Sequence, residues 1–380
     1  MNSNDMDDLL ADGFTRRMAA EYLQTQEVER ASGMFDPDYL EWAHSNGFYA
    51  ESACAYQLSD QTKSNYLSDY DFCKLWPLND WQRIWINDKL TFEYTLAGTE
   101  FSHFLPEYYY YSSKGRLLAL LDSRMDVSLD GFLSLLREKG EFACKPCNGT
   151  ESAGFHKLTC DADGFGIDGM PADAKGIGSF LREHPNYVFT EYLHPSQDMA
   201  EIDPLIHTLR LVVIDPTGVD PVPIASYLRF AVGNKDSQSG ANYQRPTSDD
   251  ICSYNVEFDI ETGRYGNGKL AYATKVLDMP RHPDSGILVE GAVDAWQELL
   301  ASIKRLSLRL GPVEYMGFDI GITDHGPKIM EINSHPGIKY LQIFKPLLTN
   351  ELAAEYYRRK LDLIGEMTPD ERTRRNETVR

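Results

Sequence analysis

The stretch that most limits how this chain can fold is Tyr315–Gly337, YMGFDIGITDHGPKIMEINSHPG. It opens on an alternating run, Phe318-Asp319-Ile320-Gly321-Ile322, in which one acid sits among apolar neighbours. Thr323-Asp324-His325-Gly326-Pro327 follows, rich in the residues that favour chain reversal. Lys328-Ile329-Met330-Glu331-Ile332-Asn333 then returns. Period and turn chemistry together predict a β-hairpin. Residues two apart on a strand share a face, so Glu331 and Asn333 converge. Asp319 joins them if the two arms pair in the matching register. Two carboxylates and an amide oxygen make a hard, all-oxygen cluster of the kind that holds Mg2+ beside a phosphate. The competing expectation is a hairpin whose acids only face water.

The flanking residues extend this to D-x-x-x-T-x-x-G-P-x-x-x-E-x-N-x-x-P-G, running from Asp319 to Gly337. That pattern resembles the C-terminal metal-binding hairpin of the ATP-grasp superfamily. The resemblance implies an α+β fold in which two α+β lobes sandwich ATP, with Asp319, Glu331 and Asn333 as Mg2+ ligands.

Composition allows such an enzyme and disfavours other classes. The 380 residues suffice for two or three structural units, and 42% apolar with 25% charged residues is ordinary for a globular chain. A net charge of −21 argues against a general nucleic-acid or anionic-membrane binder, since phosphate backbones reward a basic footprint. No apolar run approaches the ~20 residues of a membrane span. The acidic start MNSNDMDDLLADGF lacks the pattern of a signal peptide, so a cytoplasmic location is expected. The six cysteines fit reduced thiols. Cys144, Cys147, His156 and Cys160 have the spacing of a zinc knuckle, but strand and loop positions are the better expectation for them.

Four segments are expected along the chain. Residues 1–115 form a helical and then aromatic-rich N-terminal domain, 116–195 a nucleotide lobe, 196–367 a C-terminal lobe with the metal hairpin, and 368–380 a charged, frayed tail. Asn87 or Asp88 is expected to cap a helix, Ser128 to cap another over Leu129–Lys139, and Gly140 to end it. A further amphipathic helix is expected over Gly291–Leu308. Lys145 closes a strand and precedes the small-residue loop Cys147–Gly154, whose backbone N–H groups can fold over a triphosphate. Arg210 and Arg229 fall on successive strands, where two guanidinium forks suit phosphate or carboxylate; surface charge is the alternative for each.

The resemblance adds roles to these positions. It makes Lys89, in the Asp-Lys element, a phosphate contact, although Glu93 stands where many relatives carry a second lysine. It places Gly149, Thr150, Ser152 and Gly154 in the glycine-rich loop, with Lys145 on the α- and β-phosphates. Glu191, Tyr192 and Leu193 match the adenine hinge, and Glu201 is the candidate for the ribose. Over roughly 70–350 the likeness is to one branch, the sugar-transfer-associated ATP-grasp proteins, with a departure at Arg245–Tyr254. The activity implied is an ATP- and Mg2+-dependent carboxylate–amine ligase acting through an acylphosphate. Its substrates would be small-molecule acids and amines, sugar- or amino-acid-derived, for a surface polysaccharide or a peptide natural product. Arg210 or Arg229 would steady the acylphosphate. Ser334, His335 and Gly337 would touch the acceptor, with His335 either a general base or a structural loop residue. Phosphoryl transfer to a hydroxyl and a non-catalytic nucleotide-binding protein are the alternatives.

Overall fold

The computed structural model describes residues 3–120, 122–149, 153–233 and 252–378. Two antiparallel sheets organise them. The first takes β1 (Tyr108–Ser113), β2 (Arg116–Ala119), β3 (Glu141–Pro146), β4 (His156–Asp161), β5 (Gly164–Ile167), β6 (Met170–Ala172) and β7 (Tyr187–Glu191). Their order is β2-β1-β7-β3-β4-β5-β6. The tyrosine run expected within the N-terminal domain is therefore the start of this sheet, with Tyr108, Tyr109 and Tyr110 buried.

The second sheet takes β8 (Thr208–Ile214), β9 (Val222–Phe230), β10 (Ser253–Phe258), β11 (Arg264–Ala271), β12 (Val276–Asp278), β13 (Gly291–Ala292), β14 (Tyr315–Thr323) and β15 (Gly326–Asn333). It runs β12-β11-β10-β9-β8-β14-β15, with β13 on the flank of β11. Every residue of β8 is buried, because both faces of the sheet are covered. Leu209, Leu211 and Val213 join Phe318 and Ile320 on one face, beneath the helix Trp296–Arg309. That helix presents Trp296, Leu299, Ile303 and Leu306 at the three- and four-residue spacing of an apolar stripe. It starts five residues later than Gly291, since Gly291-Ala292 is drawn into strand β13 instead.

On the opposite face Val212, Ile214 and Tyr315 pack against N-terminal helices and the segment after the hairpin. Those helices are well capped. Asp36 accepts from the Asp38 and Tyr39 amides, with Pro37 in the first turn of Pro37–Ser45. Tyr49, before Ala50–Tyr56, offers no capping side chain. Buried Glu29 supplies the missing acceptor, taking the Ala50 and Glu51 amides at 2.9 Å each. Asp88 and Ser128 cap as expected, accepting from the Thr91 and Gly131 amides.

The tail is not frayed. Pro369–Thr378 is a helix held against the N-terminal helices. Arg375 donates to the carbonyls of Lys74 and Trp76, and Arg372 to Gly365 and Ala11. Guanidinium–carbonyl bonds, part-buried at Arg375 and exposed at Arg372, order a segment whose composition alone reads as solvated.

Candidate active site

The second sheet builds the site by register. Four strands place Tyr227, Arg210, Asp319 and Glu331 directly opposite one another in turn, across β9, β8, β14 and β15. The row faces away from Phe318 and Ile320 because neighbours along a strand alternate. One irregularity makes this possible. Ile320 pairs with Ile329, but Asp319 pairs with Glu331, so Met330 is an extra residue in β15. That bulge lets Ile329 and Ile332 both reach the core while Glu331 and Asn333 turn to the other face.

Asp319 and Arg210, 5% and 8% exposed, form a two-pronged ion pair. Its Nη2–Oδ2 arm measures 2.9 Å. Asn333 Nδ2 donates to Glu331 Oε1 at 3.1 Å and lies 3.4 Å from Asp319 Oδ2. Lys89 Nζ sits 3.0 Å from Glu331 Oε2 and donates to the Gly149 carbonyl at 3.1 Å. One chain of contacts thus runs from β8 through the hairpin to the loop after β3. Burial lifts the Asp319 carboxyl and Arg210 pulls against it. Glu331 is also buried, but Lys89 and Asn333 overcome that and hold its carboxyl low.

A groove of about 840 Å³ passes over this row. Lys145, Gly149, Glu191, Tyr192, Leu193, Arg229 and His335 line it together with Lys89, Arg210, Asp319, Glu331 and Asn333. Burial and the nearby Lys89 charge lower Lys145 from 10.5 to about 8. Gly149 is a glycine because Pro146 Cγ lies 2.3 Å from where a Cβ would stand. Gly154 has φ +72°, with the Tyr187 hydroxyl 2.6 Å from that point, and is not among the lining residues. Thr150 and Ser152 lie outside the described residues, as does most of Arg245–Tyr254.

Several expectations need correction. Glu201 is exposed, and its helix Gln197–Ile202 turns Met199 and Ile202 inward instead, so it does not line the groove. Glu191 lines it, but its carboxylate accepts the Glu107 amide at 3.1 Å. Arg210 commits two donors to Asp319, which makes it a positioning residue. His335 stacks on Phe72, rings 3.8 Å apart, and burial lowers it to about 3, far from the pKa a general base needs. Glu93 is half-buried outside the groove lining, and burial raises its carboxyl. Lys89 engages Glu331 and Gly149, whereas Lys145 lines the groove with no side-chain hydrogen bond among the described residues.

The donor set fits a divalent cation. A single Nδ2 of Asn333 reaches oxygens of both carboxylates, so both point at one place that already attracts a positive partner. The same amide also carries an oxygen for a metal. Asp319, Glu331 and Asn333 are the residues that would hold Mg2+.

A family model described as sugar-transfer associated ATP-grasp matches residues 167–354, the span holding the whole row and the hairpin. Over that span this is a sugar-transfer associated ATP-grasp protein. The ATP-grasp architecture accounts for two antiparallel α+β sheets facing a shared groove. No curated protein sequence matches the chain. Among solved structures it is similar to D-alanyl-alanine synthetase A from Vibrio cholerae, at 12% identity and TM-score 0.40, over 73% of this chain and 66% of that one. It is also similar to a D-alanine–D-alanine ligase from Bacillus anthracis, at 16% and 0.34, over 77% and 69%. A D-cycloserine synthetase gives 13% and 0.37, over 74% and 71%. This chain thus spans just under two thirds of the Vibrio protein. No helix among the described residues is long and apolar enough to cross a membrane.

Sequence reasoning missed the residues that the N-terminal helices bring to the groove. Asn87 donates to Ser334 Oγ and accepts the Ser334 amide, both at 2.9 Å, pinning the loop after the hairpin. Its signal is the Asn-Asp-Lys string, which by itself yields a helix cap and the Asp-Lys element but no hold on the Ser334 loop. Glu51, Phe72 and Lys339 also line the groove, and nothing in their local sequence marks them.

Proposed function

We propose that this chain is an ATP- and Mg2+-dependent carboxylate–amine ligase that works through an acylphosphate. The observation that carries the reading is the row Arg210–Asp319–Glu331, closed by Lys89 and opening on one groove with Lys145 and the hinge Glu191–Leu193. Adenine would lie along Tyr192 and Leu193, and Lys145 would hold the α- and β-phosphates. A bound Mg2+ would neutralise charge on the triphosphate during phosphoryl transfer. Arg210 keeps Asp319 aimed, and Arg229, two residues along β9 from Tyr227, faces the charge that develops. An oxygen of the substrate carboxylate attacks the γ-phosphorus and ADP leaves. The amine then attacks the acyl carbon, phosphate leaves, and the nitrogen gives up a proton.

A screen of acids and amines for ADP release, with mass spectrometry of products, tests this. The expected result is an amide formed only when acid, amine, ATP and Mg2+ are all present. A phosphorylated hydroxyl product, formed with no amine, would overturn the ligase reading. Asp319→Ala and Glu331→Ala are each expected to abolish Mg2+-dependent ATP binding.

A further inference from the structure

Beyond the hairpin the groove ends against the N-terminal helices, and its charges there are unlike those around the metal candidates. Lys339 Nζ lies 3.2 Å from Glu51 Oε2, the side chains being only 12% and 20% exposed. Yet that ammonium makes no hydrogen bond among the described residues. Two further buried atoms of the groove lining are also unsatisfied among the described residues, Nδ1 and Nε2 of His335. Phe72 closes the back of the imidazole. All four side chains line the groove; His335 follows directly on Asn333 and Ser334, and Lys339 comes four residues later.

Buried polar atoms without partners are uncommon, and each calls for an explanation. Here the explanation has to fit a cation and an anion that are near each other but badly aligned. A buried pair of this kind recovers little of its desolvation cost. A ligand with only one charge makes matters worse, because it engages Lys339 or Glu51 and strands the other. A ligand with both charges gives each a directed, charge-assisted bond and adds no net charge to the site. The imidazole of His335, with both ring nitrogens unsatisfied among the described residues, can donate to such a ligand and accept from it.

We infer that this end of the groove binds a small zwitterion of the amino-acid type, its carboxylate on Lys339 and its ammonium on Glu51. Resting on the ligase reading, this assigns the chemical class of the amine substrate. It also gives the N-terminal helices a role: they carry Glu51 and Phe72, half of the acceptor site.

Calorimetric titration of the full chain with glycine, acetate and methylamine tests it, with Mg2+–ATP titrated separately. Glycine is expected to bind at least tenfold more tightly than acetate or methylamine. Lys339→Met and Glu51→Gln should each erase that preference while leaving Mg2+–ATP affinity in place. If either single variant unfolds, the exchanged pair Glu51→Lys with Lys339→Glu keeps both charges and should still prefer glycine. Equal binding of glycine and acetate, no binding of glycine, or single variants that melt lower but keep the wild-type preference would each overturn the inference. The last outcome would mean the pair only tethers two helices. Loss of Mg2+–ATP binding by the wild type would instead count against the ligase reading, since the glycine titration needs no nucleotide.

Discussion

The two ends of the groove are held by different physics. At the hairpin the functional side chains stand opposite one another on paired strands, and the ladder hydrogen bonds fix their spacing. Each charge meets its partner: Arg210 with Asp319, and Lys89 with Glu331. At the far end the side chains come from separate elements, the helix Ala50–Tyr56, the helix Asp69–Leu75, the loop after Asn333 and the short helix Lys339–Gln342. There Lys339 and His335 carry buried nitrogens with no hydrogen bond among the described residues. Under the ligase proposal, one sheet fixes the phosphoryl chemistry, whereas the packing of a separate helical layer sets what is joined.

Breaking the ladder end should have the largest effect. Asp319→Ala strands a guanidinium that is 8% exposed, so equilibrium denaturation should show a loss of about 3–5 kcal/mol. Replacing both partners, as Arg210→Met with Asp319→Leu, should recover most of that stability without restoring nucleotide binding. If the double variant were as unstable as the single one, the buried pair would not be what sets the cost.

Lys145→Met probes the middle of the groove and should act in the opposite direction on stability. The folded pKa of Lys145 is about 8, below its ordinary 10.5. Between those values the unfolded chain holds a proton that the folded chain lacks, so stability rises with pH there. The penalty is full below about pH 8. The methionine variant should therefore be more stable by about 1–3 kcal/mol at pH 7, with the gain fading towards pH 10.5. Its ATP affinity should fall sharply. Thermal melts across pH with and without Mg2+–ATP check both halves.

Asn87→Ala should give the smallest change and sharpen the comparison most. It removes two hydrogen bonds that pin the Ser334 loop and should cost about 1–2 kcal/mol. Because that loop leads to His335, the KM for the amine should rise while Kd for Mg2+–ATP holds. An equal change in both would show that the two ends are not separable.

Much of the metal candidate was legible in the chain. Alternation around Asp319, the turn at Asp324–Gly326 and the two-residue step from Glu331 to Asn333 are local, and local rules sufficed. The same is true of the Asp88 and Ser128 caps. The Met330 bulge was not legible. Counting back from the turn in strict alternation pairs Asp319 with Met330 and sends Glu331 towards the core. Only the competition of Ile329 and Ile332 for the buried face resolves it. Glu201 went wrong for a similar reason, since spacing from the hinge cannot say which side of a short helix turns inward. The tail went wrong because charge density reads as solvation, whereas Arg375 is held by carbonyls nearly the whole chain away.

By itself the sequence determined which residue types could gather oxygen ligands on one hairpin, because strand period and turn preference act over a few residues. Tertiary structure decided which side chains face the groove, which carboxylate meets which cation, and that helices from the first hundred residues complete its far end. Those outcomes depend on burial across distant segments, where a side chain's environment is set by what packs over it.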